Sequence, residues 1–332
     1  MIRRLLWFVG SIVVLIVLNQ VLPRALNPYV IQVTVLCGIN VILAVSLNLI
    51  NGFTGQFSLG HAGFMAVGGY SSAMFSLHVG QGWVQTLEAA GVPAPVAQGA
   101  ALLVALLLGG LAAALAGYLV GLPSLRLRGD YLAIVTLGFG EIIRVVILNV
   151  DVIGGARGLP GIPPWANLFW VGAGVLAVIF TALHLADSTH GRALFAIRDD
   201  EVAAEALGVD TTGYKVIAFV IGAFFAGIAG GLFAHFLSYL NPNSFTFLKS
   251  IEVVAMVVLG GMGSVSGAMI AAILLTVLPE ALRPVRDYRM VIYSLMLIVL
   301  MITRPQGLLG SRELSLKALF KPRTPARGTP AA

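Results

Sequence analysis

Charge is scarce in this chain: 20 lysines and arginines and 14 aspartates and glutamates are spread over 332 residues. Most of them sit in short connections between long apolar runs. An ordinary globular domain is excluded, because a soluble core cannot absorb so many apolar faces. Cysteine is nearly absent, and Cys37 alone rules out an intrachain disulfide or a cysteine-built metal cluster. Also missing are G-x-x-x-x-G-K-[ST], H-E-x-x-H, G-x-S-x-G and a credible dinucleotide fingerprint. Gly261-Met262-Gly263 lies in an apolar setting that suits no nucleotide. The chain is therefore expected to hydrolyse no ATP itself, to hold no metal or cofactor, and to carry no catalytic residue. Uphill movement of a solute would draw its energy from an ion gradient or from another subunit. The net charge of +6 requires no nucleic-acid partner.

What the sequence has in abundance is membrane-length apolar sequence, at residues 5–22, 29–50, 57–79, 99–122, 131–150, 167–186, 214–240, 251–281 and 290–303. In lipid a helix satisfies its own backbone and leaves its side chains against hydrocarbon. The expected fold is an all-α polytopic membrane protein with about nine or ten membrane-embedded segments. Its 39 glycines point to close helix contacts and to broken segments. Small residues recur every fourth position at Gly109, Ala113, Gly117 and Gly121, and again at Gly222, Ala226, Gly230 and Ala234. Such stripes are packing seams.

Residues 1–28 read as a cytoplasmic end, with Arg3 and Arg4, followed by an uncleaved first helix. A core over 29–303 and a cytoplasmic tail over 304–332 complete the layout. The 80–95 segment, free of lysine and arginine, falls outside; Arg126 and Arg128 fall inside; 151–167 falls outside; the polar connection 187–215, with Arg192, Arg198 and Lys215, falls inside. Near the end, Arg283, Arg286 and Arg289 precede the last span, while Arg304, Arg312, Lys317, Lys321, Arg323 and Arg327 follow it. Placing the larger cluster inside requires 251–281 to enter the membrane and return. A helix from Ile251 to Leu259, a break at Gly260-Gly261-Met262-Gly263-Ser264 and a helix from Ser266 to Leu282 satisfy that requirement. A second interruption spans Asn51 to Gly63. Ser58-Leu59-Gly60-His61-Ala62 can be set against Ser264-Val265-Ser266-Gly267-Ala268, which hints at a duplicated unit.

Non-helical backbone at membrane depth is tolerated where protein or a watery cavity covers it. Gln56, Ser58, His61, Gly260, Gly261, Gly263 and Ser264 are therefore expected to border a transmembrane path. Glu141 and Arg144, three residues apart on one helix face near mid-membrane, form a neutralised pair that either locks helices together or acts in gating. His61 is either a hydrogen-bonded structural group or a ligand or proton relay, and Glu252 pairs with Lys249 at the membrane surface. Arg198 to Gly208 reads as one short helix, with acids near its start, a small face of Val202, Ala203, Ala206 and Leu207, and Gly208 as its stop. Glu201 and Glu205 repel across one turn, which a basic partner opposite would relieve.

Gly55-Gln56-Phe57-Ser58-Leu59-Gly60-His61-Ala62-Gly63-Phe64, the 125–137 block around Leu-Arg-Gly-Asp-Tyr, and Gly154-Gly155-Ala156-Arg157-Gly158-Leu159 resemble the permeases of bacterial branched-chain amino acid ABC importers. The resemblance continues through Gly191-Arg192, Ala196 to Asp210, Val257 to Ser264 and Arg304-Pro305-Gln306-Gly307-Leu308-Leu309, covering about residues 30–310. The Leu-Arg-Gly-Asp-Tyr block resembles the LivM-type subunit more than its LivH-type sister. The resemblance implies import of leucine, isoleucine or valine across the bacterial inner membrane. The implied partners are a sister LivH-type permease, two cytoplasmic ATPases that consume ATP and magnesium, and a periplasmic amino-acid-binding protein. It assigns docking on the ATPase to the loop carrying Arg198, Asp199, Glu201, Ala204, Glu205 and Gly208. The spacing there departs from the family's E-A-A-x-x-x-G pattern. Loops 151–167 and 241–250 would receive the binding protein. Urea, short amides or other amino acids are alternative cargoes, and an ion-coupled secondary transporter using Glu141 is a rival class.

Overall fold

The computed structural model describes residues 15–17, 19–22, 24–125, 130–283 and scattered positions from 288 to 310. The expectations for Arg3, Arg4, Arg126, Arg128, Arg286, Arg289, Arg304 and the tail lie outside the described residues, as do most of those for the first and last spans.

Eleven helices follow one another among the described residues: α1 (Pro28–Asn51), α2 (His61–Phe75), α3 (Gln81–Ala89), α4 (Ala94–Ser124), α5 (Asp130–Asn149), α6 (Leu168–Asp187), α7 (Thr189–Asp199), α8 (Glu201–Ala206), α9 (Thr211–Leu237), α10 (Phe247–Gly260) and α11 (Val265–Ala281). Two two-residue strands, β1 (Leu159–Pro160) and β2 (Tyr239–Leu240), pair antiparallel with Leu159 opposite Leu240. Five helices, α1, α4, α5, α6 and α9, are long and apolar enough to cross a membrane. α2, α10 and α11 are shorter apolar pieces that flank the two breaks.

Burial sorts the long helices. In α1 and α9, 61% of the apolar window is buried, against 22% in α5 and 17% in α6, so the first two form the centre and the latter two the flank. A helix apolar on every side is one that protein or lipid surrounds completely. α9 packs on α1, α2 and α4, and α1 also packs on α11 and α6. The seams are built from absent side chains. A Cβ on Gly68 would strike the Gly227 backbone, one on Gly230 the Met65 carbonyl, and one on Gly117 would approach Ala223 Cβ to 2.6 Å. The stripe Gly222–Ala226–Gly230 faces α1 and α2, while a second, offset row of Ala223, Gly227 and Gly231 meets α4 and Ser72 of α2.

The segment 80–95, expected on the outer side for its lack of lysine and arginine, is largely helical. A π-helical turn at Ser76–Gly80 carries α2 into α3, and Val84 of α3 folds down on Ala97 and Ala101 of α4, with Leu87 and Trp165 alongside. Helix also starts later than expected in the 57–79 run, at His61, because 55–60 is irregular.

Caps fix the remaining boundaries. Asn167 accepts from the Phe169 and Trp170 amides, and Asp210 from Gly213 N at 3.0 Å. The expected single helix over 198–208 is in fact two. Asp200 leaves helical geometry (φ −158°) and caps α8 by accepting from Val202 N at 2.9 Å and Ala203 N at 3.0 Å. Its carboxylate supplies a new start that breaks the run. Gly208, at φ +83°, ends the segment as expected. Asp200→Ala is expected to cost about 1 kcal/mol, read as faster protease cleavage at 199–208 with the rest of the bundle unchanged.

Candidate functional site

The two breaks meet. Asn48, in the last turn of α1, accepts from Gly263 N at 2.8 Å through Oδ1. Gly52 is pressed so close that a Cβ there would collide with both Asn48 Oδ1 and Gly263 N, which is why the first break needs glycine at this position. Asn51 Oδ1 accepts from Ser58 N at 3.2 Å and folds the irregular 52–60 stretch back toward α2. On the other side, Gly261 takes φ +104° to end α10, and Ser264 caps α11 through Gly267 N at 3.1 Å. The Leu308 amide reaches the Leu259 carbonyl at 2.7 Å, and Gly307 and Gly310 lie against Gly261. Gly307, Leu308 and Gly310 thus close the carbonyl end of α10.

The likeness between the breaks is one of arrangement, helix–break–helix, and not of capping. Ser264 is an N-cap, whereas Ser58 Oγ makes no hydrogen bond among the described residues and α2 starts at His61 with Gly60 before it and no side-chain cap. Gln56, Ser58 and His61 are buried, as are Gly260, Gly261 and Ser264; Gly263 is half-buried. His61 Nε2 lies 2.9 Å from Ser46 Oγ, which itself donates to the Leu43 carbonyl at 3.0 Å. The serine hydrogen is thereby spent, so the imidazole proton belongs on Nε2. Nδ1 has no hydrogen-bond partner among the described residues.

The polar connection between α6 and α9 abuts this junction. Arg198 Nη1 donates to the Gly52 carbonyl at 3.3 Å, while Nε and Nη2 both reach Asp199 Oδ1 at 3.1 Å. Its guanidinium lies 5.1 Å over the Phe195 ring, which packs against Phe53 at 5.0 Å. α8 is anchored by its acids. Glu201 pairs with Lys215 at 2.6 Å, and Glu205 accepts from Thr211 Oγ1 at 3.1 Å. The basic partner expected for these acids comes from the chain's own α9. Lys215 is 1% exposed, so it is no surface-loop cation. Ala204 is buried beneath α8, and the opposite face presents Val202 at 63% and Leu207 at 86% exposure.

A third feature lies between α2, α5 and the start of α10. Glu141, the twelfth residue of α5 and about 16 Å from its start, binds Arg144 Nε at 2.7 Å through Oε2 and accepts from the Phe247 amide at 3.2 Å through Oε1. The carboxylate thus meets the positive end of α10. Lys249, one turn on, bonds Glu252 and Asn40 at 3.0 Å each. The Lys249–Glu252 pair is partly exposed, at 21% and 36%, and its lysine reaches Asn40 mid-way along α1. A shallow crevice lies here, lined by Leu59, Ala62, Gly140, Glu141, Phe247 and Ser250 among others. Ser250 accepts from Ala62 N at 3.1 Å. The residues expected to border the path do not line this crevice; they gather at the break junction and just below α2's first turn. Ser250, Asn48 and Asn51 were missed, although three polar residues inside apolar runs were a visible signal. His235 was missed too. It is buried, with Nδ1 donating to Gly231 O at 2.8 Å and Nε2 within 2.7 Å of Ser76 Oγ.

Long apolar helices, half-length apolar helices and almost no strand among the described residues define an all-α polytopic membrane protein. A family model described as the branched-chain amino acid transport system permease component matches residues 29–301. The chain therefore belongs to the branched-chain amino acid transport permease family, and it is of LivM type. It is 37% identical, over 92% of its length and 76% of the relative's, to the high-affinity branched-chain amino acid transport system permease protein LivM of Escherichia coli K12. With the probable branched-chain amino acid transport permease protein LivM of Methanocaldococcus jannaschii it shares 24% over 83% of its length and 92% of the relative's. LivH of Salmonella typhimurium is 35% identical across 42% of this chain and 45% of its own. No solved structure matches. The family is one of transport permeases and not of known enzymes.

Proposed function

We propose that the chain is one of two different permease subunits in an ATP-driven importer of leucine, isoleucine and valine, beside a LivH-type sister. Two cytoplasmic ATPases consume ATP and magnesium, and this subunit binds neither. A periplasmic binding protein delivers the solute to the 151–167 and 241–250 loops. Both termini and the 187–215 connection face the cytoplasm of a bacterial inner membrane.

The observation that carries this reading is α8. Its acids hold it to α9, and its apolar residues Val202 and Leu207 project away from the bundle. A six-residue helix so fastened suits a knob seated in a partner's groove. Arg198, Asp199, Glu201, Ala204, Glu205 and Gly208 build the knob and its footing, and it is the exposed apolar pair that touches the ATPase. The solute passes the crevice beside Glu141 and leaves by the break junction, where Gln56, Ser58, His61 and Gly260 to Ser264 gather. An ion-coupled mechanism is the second reading, and Glu141 is its carboxylate. The occupation of both Glu141 oxygens by Arg144 and Phe247 argues against free proton exchange there.

The test is labelled-leucine uptake by proteoliposomes holding this chain, the sister permease, both ATPases and the binding protein. Uptake is expected to require ATP and every component, and to disappear with Leu207→Asp. ATP hydrolysis without leucine uptake would shift the cargo to urea, short amides or other amino acids. Failure to assemble with ATPases would return the ion-coupled reading.

A further inference from the structure

One side chain of the 187–215 connection reaches both helix breaks. Arg198 ends α7 just before the knob α8. Its Nη1 donates to Gly52 at the carbonyl end of α1. The same nitrogen lies 3.0 Å from where a Gly263 Cβ would stand, beside the carbonyl end of α10, and the Arg198 stem covers Gly55, with Cγ 3.0 Å from that residue's Cβ position. A helix C-terminus carries partial negative charge, which suits the guanidinium at the end of α1, while its approach to Gly263 falls between the end of α10 and the Ser264 cap of α11. Its guanidinium lies 5.1 Å over the Phe195 ring, which in turn packs on Phe53 with 5.0 Å between ring centroids.

Beneath this contact the junction is polar and unsatisfied. Asn48 Nδ2, Asn51 Nδ2 and Ser58 Oγ are buried without a hydrogen-bond partner among the described residues. Asn48 and Asn51 are one turn apart on α1, and each uses its carbonyl oxygen to hold the breaks together while its NH₂ group goes unused. Amide and hydroxyl groups are unfavourable to bury unpaired, so the packed junction gains by opening to polar company. Something must hold it shut, and Arg198 is placed to do so.

We infer that Arg198 is a positioning residue that pins the two helix breaks closed, and that movement of α7 and α8 withdraws it and exposes Asn48, Asn51 and Ser58 to the solute. This rests on the transport reading, because the knob that would pull on the pin is the proposed ATPase contact. Geometry carries the pin itself. The solute class it implies is one with a carboxylate or another multiple acceptor, since the groups left waiting are two amide donors and a hydroxyl.

The experiment uses the assembled complex with Cys37→Ser and Ser58→Cys in this chain, and measures the alkylation rate by a water-soluble maleimide. With Arg198 present, labelling is expected to be slow. Arg198→Ala is expected to raise it about ten-fold, as a shift of the closed population, and Arg198→Lys, which keeps charge but loses the fork, to fall between. A second reporter, Ser72→Cys in the α2–α9 seam, is expected to stay unlabelled throughout, which separates opening of the junction from general loosening. Uptake per ATP hydrolysed is expected to fall in Arg198→Ala. Equal Ser58→Cys labelling with Arg, Lys and Ala at 198 would overturn the pin, as would parallel labelling of Ser72→Cys. Should Arg198→Ala fail to assemble, the Arg-to-Lys comparison alone decides on the same readout. If labelling depends on residue 198 but no ATP-driven flux is found, the transport reading fails and the pin stands. If flux is found and labelling ignores residue 198, the reverse holds.

Discussion

Glu201→Gln is expected to destabilise the α8–α9 end of the bundle by about 3–5 kcal/mol, the cost of leaving a buried charge without its counter-ion. The asymmetry of the pair produces this value. Lys215 is 1% exposed and Glu201 23%, with 2.6 Å between Nζ and Oε2. Glutamine keeps the shape and a hydrogen bond, but the ammonium stays where water cannot replace the lost carboxylate. The reverse change, Lys215→Met, is expected to be milder, because Glu201 can turn outward and methionine fills the lysine stem's space. The double variant is expected to recover most of the loss. Thermal unfolding in detergent checks the order Glu201→Gln, then the double variant, then wild type. Equal losses from the two single changes would show that burial at Lys215 does not set the energy.

The second large effect belongs to Glu141. Glu141→Ala is expected to cost about 2–3 kcal/mol, near the penalty for an unpaired arginine well inside a bilayer and tempered by partial exposure of both side chains. Two separate interactions vanish together. Arg144 loses its 2.7 Å partner, and the Phe247 amide at the start of α10 loses its acceptor at 3.2 Å. Glu141→Ala/Arg144→Leu is expected to be less damaging than the sum of its parts, by about 1–2 kcal/mol of coupling. Uptake should fall in Glu141→Ala and stay low in the double variant, since neither restores the cap on α10. Strict additivity of the two single changes in a denaturant titration would mean that the pair is not coupled, and full transport in the double variant would remove the capping role.

The sequence was most readable where a residue's local effect and its tertiary effect agree. Long apolar runs with few charges placed the membrane helices within a few residues. Polar and glycine interruptions at 51–63 and 260–264 marked both breaks, because only special backbone needs such residues inside apolar sequence. Stripes of small residues exposed one seam of α9, and its neighbour on Ala223, Gly227 and Gly231 was equally visible but unread. What failed depended on contacts remote in sequence. Helix α3 exists because Val84 finds Ala97 and Ala101, which the glycines at 80, 82 and 91 conceal. Asp200 looked like one more acid suited to a helix dipole, yet its side chain caps a new helix. Lys215 resembled a loop cation marking the interface, and folding buries it under Glu201. The convergence of both breaks on Arg198 could not be seen from any local pattern, since Gly52, Arg198 and Gly263 lie far apart in the chain.

The short ladder between Leu159–Pro160 and Tyr239–Leu240 makes the α5–α6 and α9–α10 connections a single yoke. The Tyr239 hydroxyl reaches across to the Arg157 carbonyl at 2.7 Å and tightens the same joint. One arm of the yoke runs down α5 to Glu141, and the other runs through Pro242–Phe245 to Phe247, the residue Glu141 grips. A load applied at either connection is therefore shared by both ends of that grip, so a protein seated on this rim could tilt α10 as a lever without touching it.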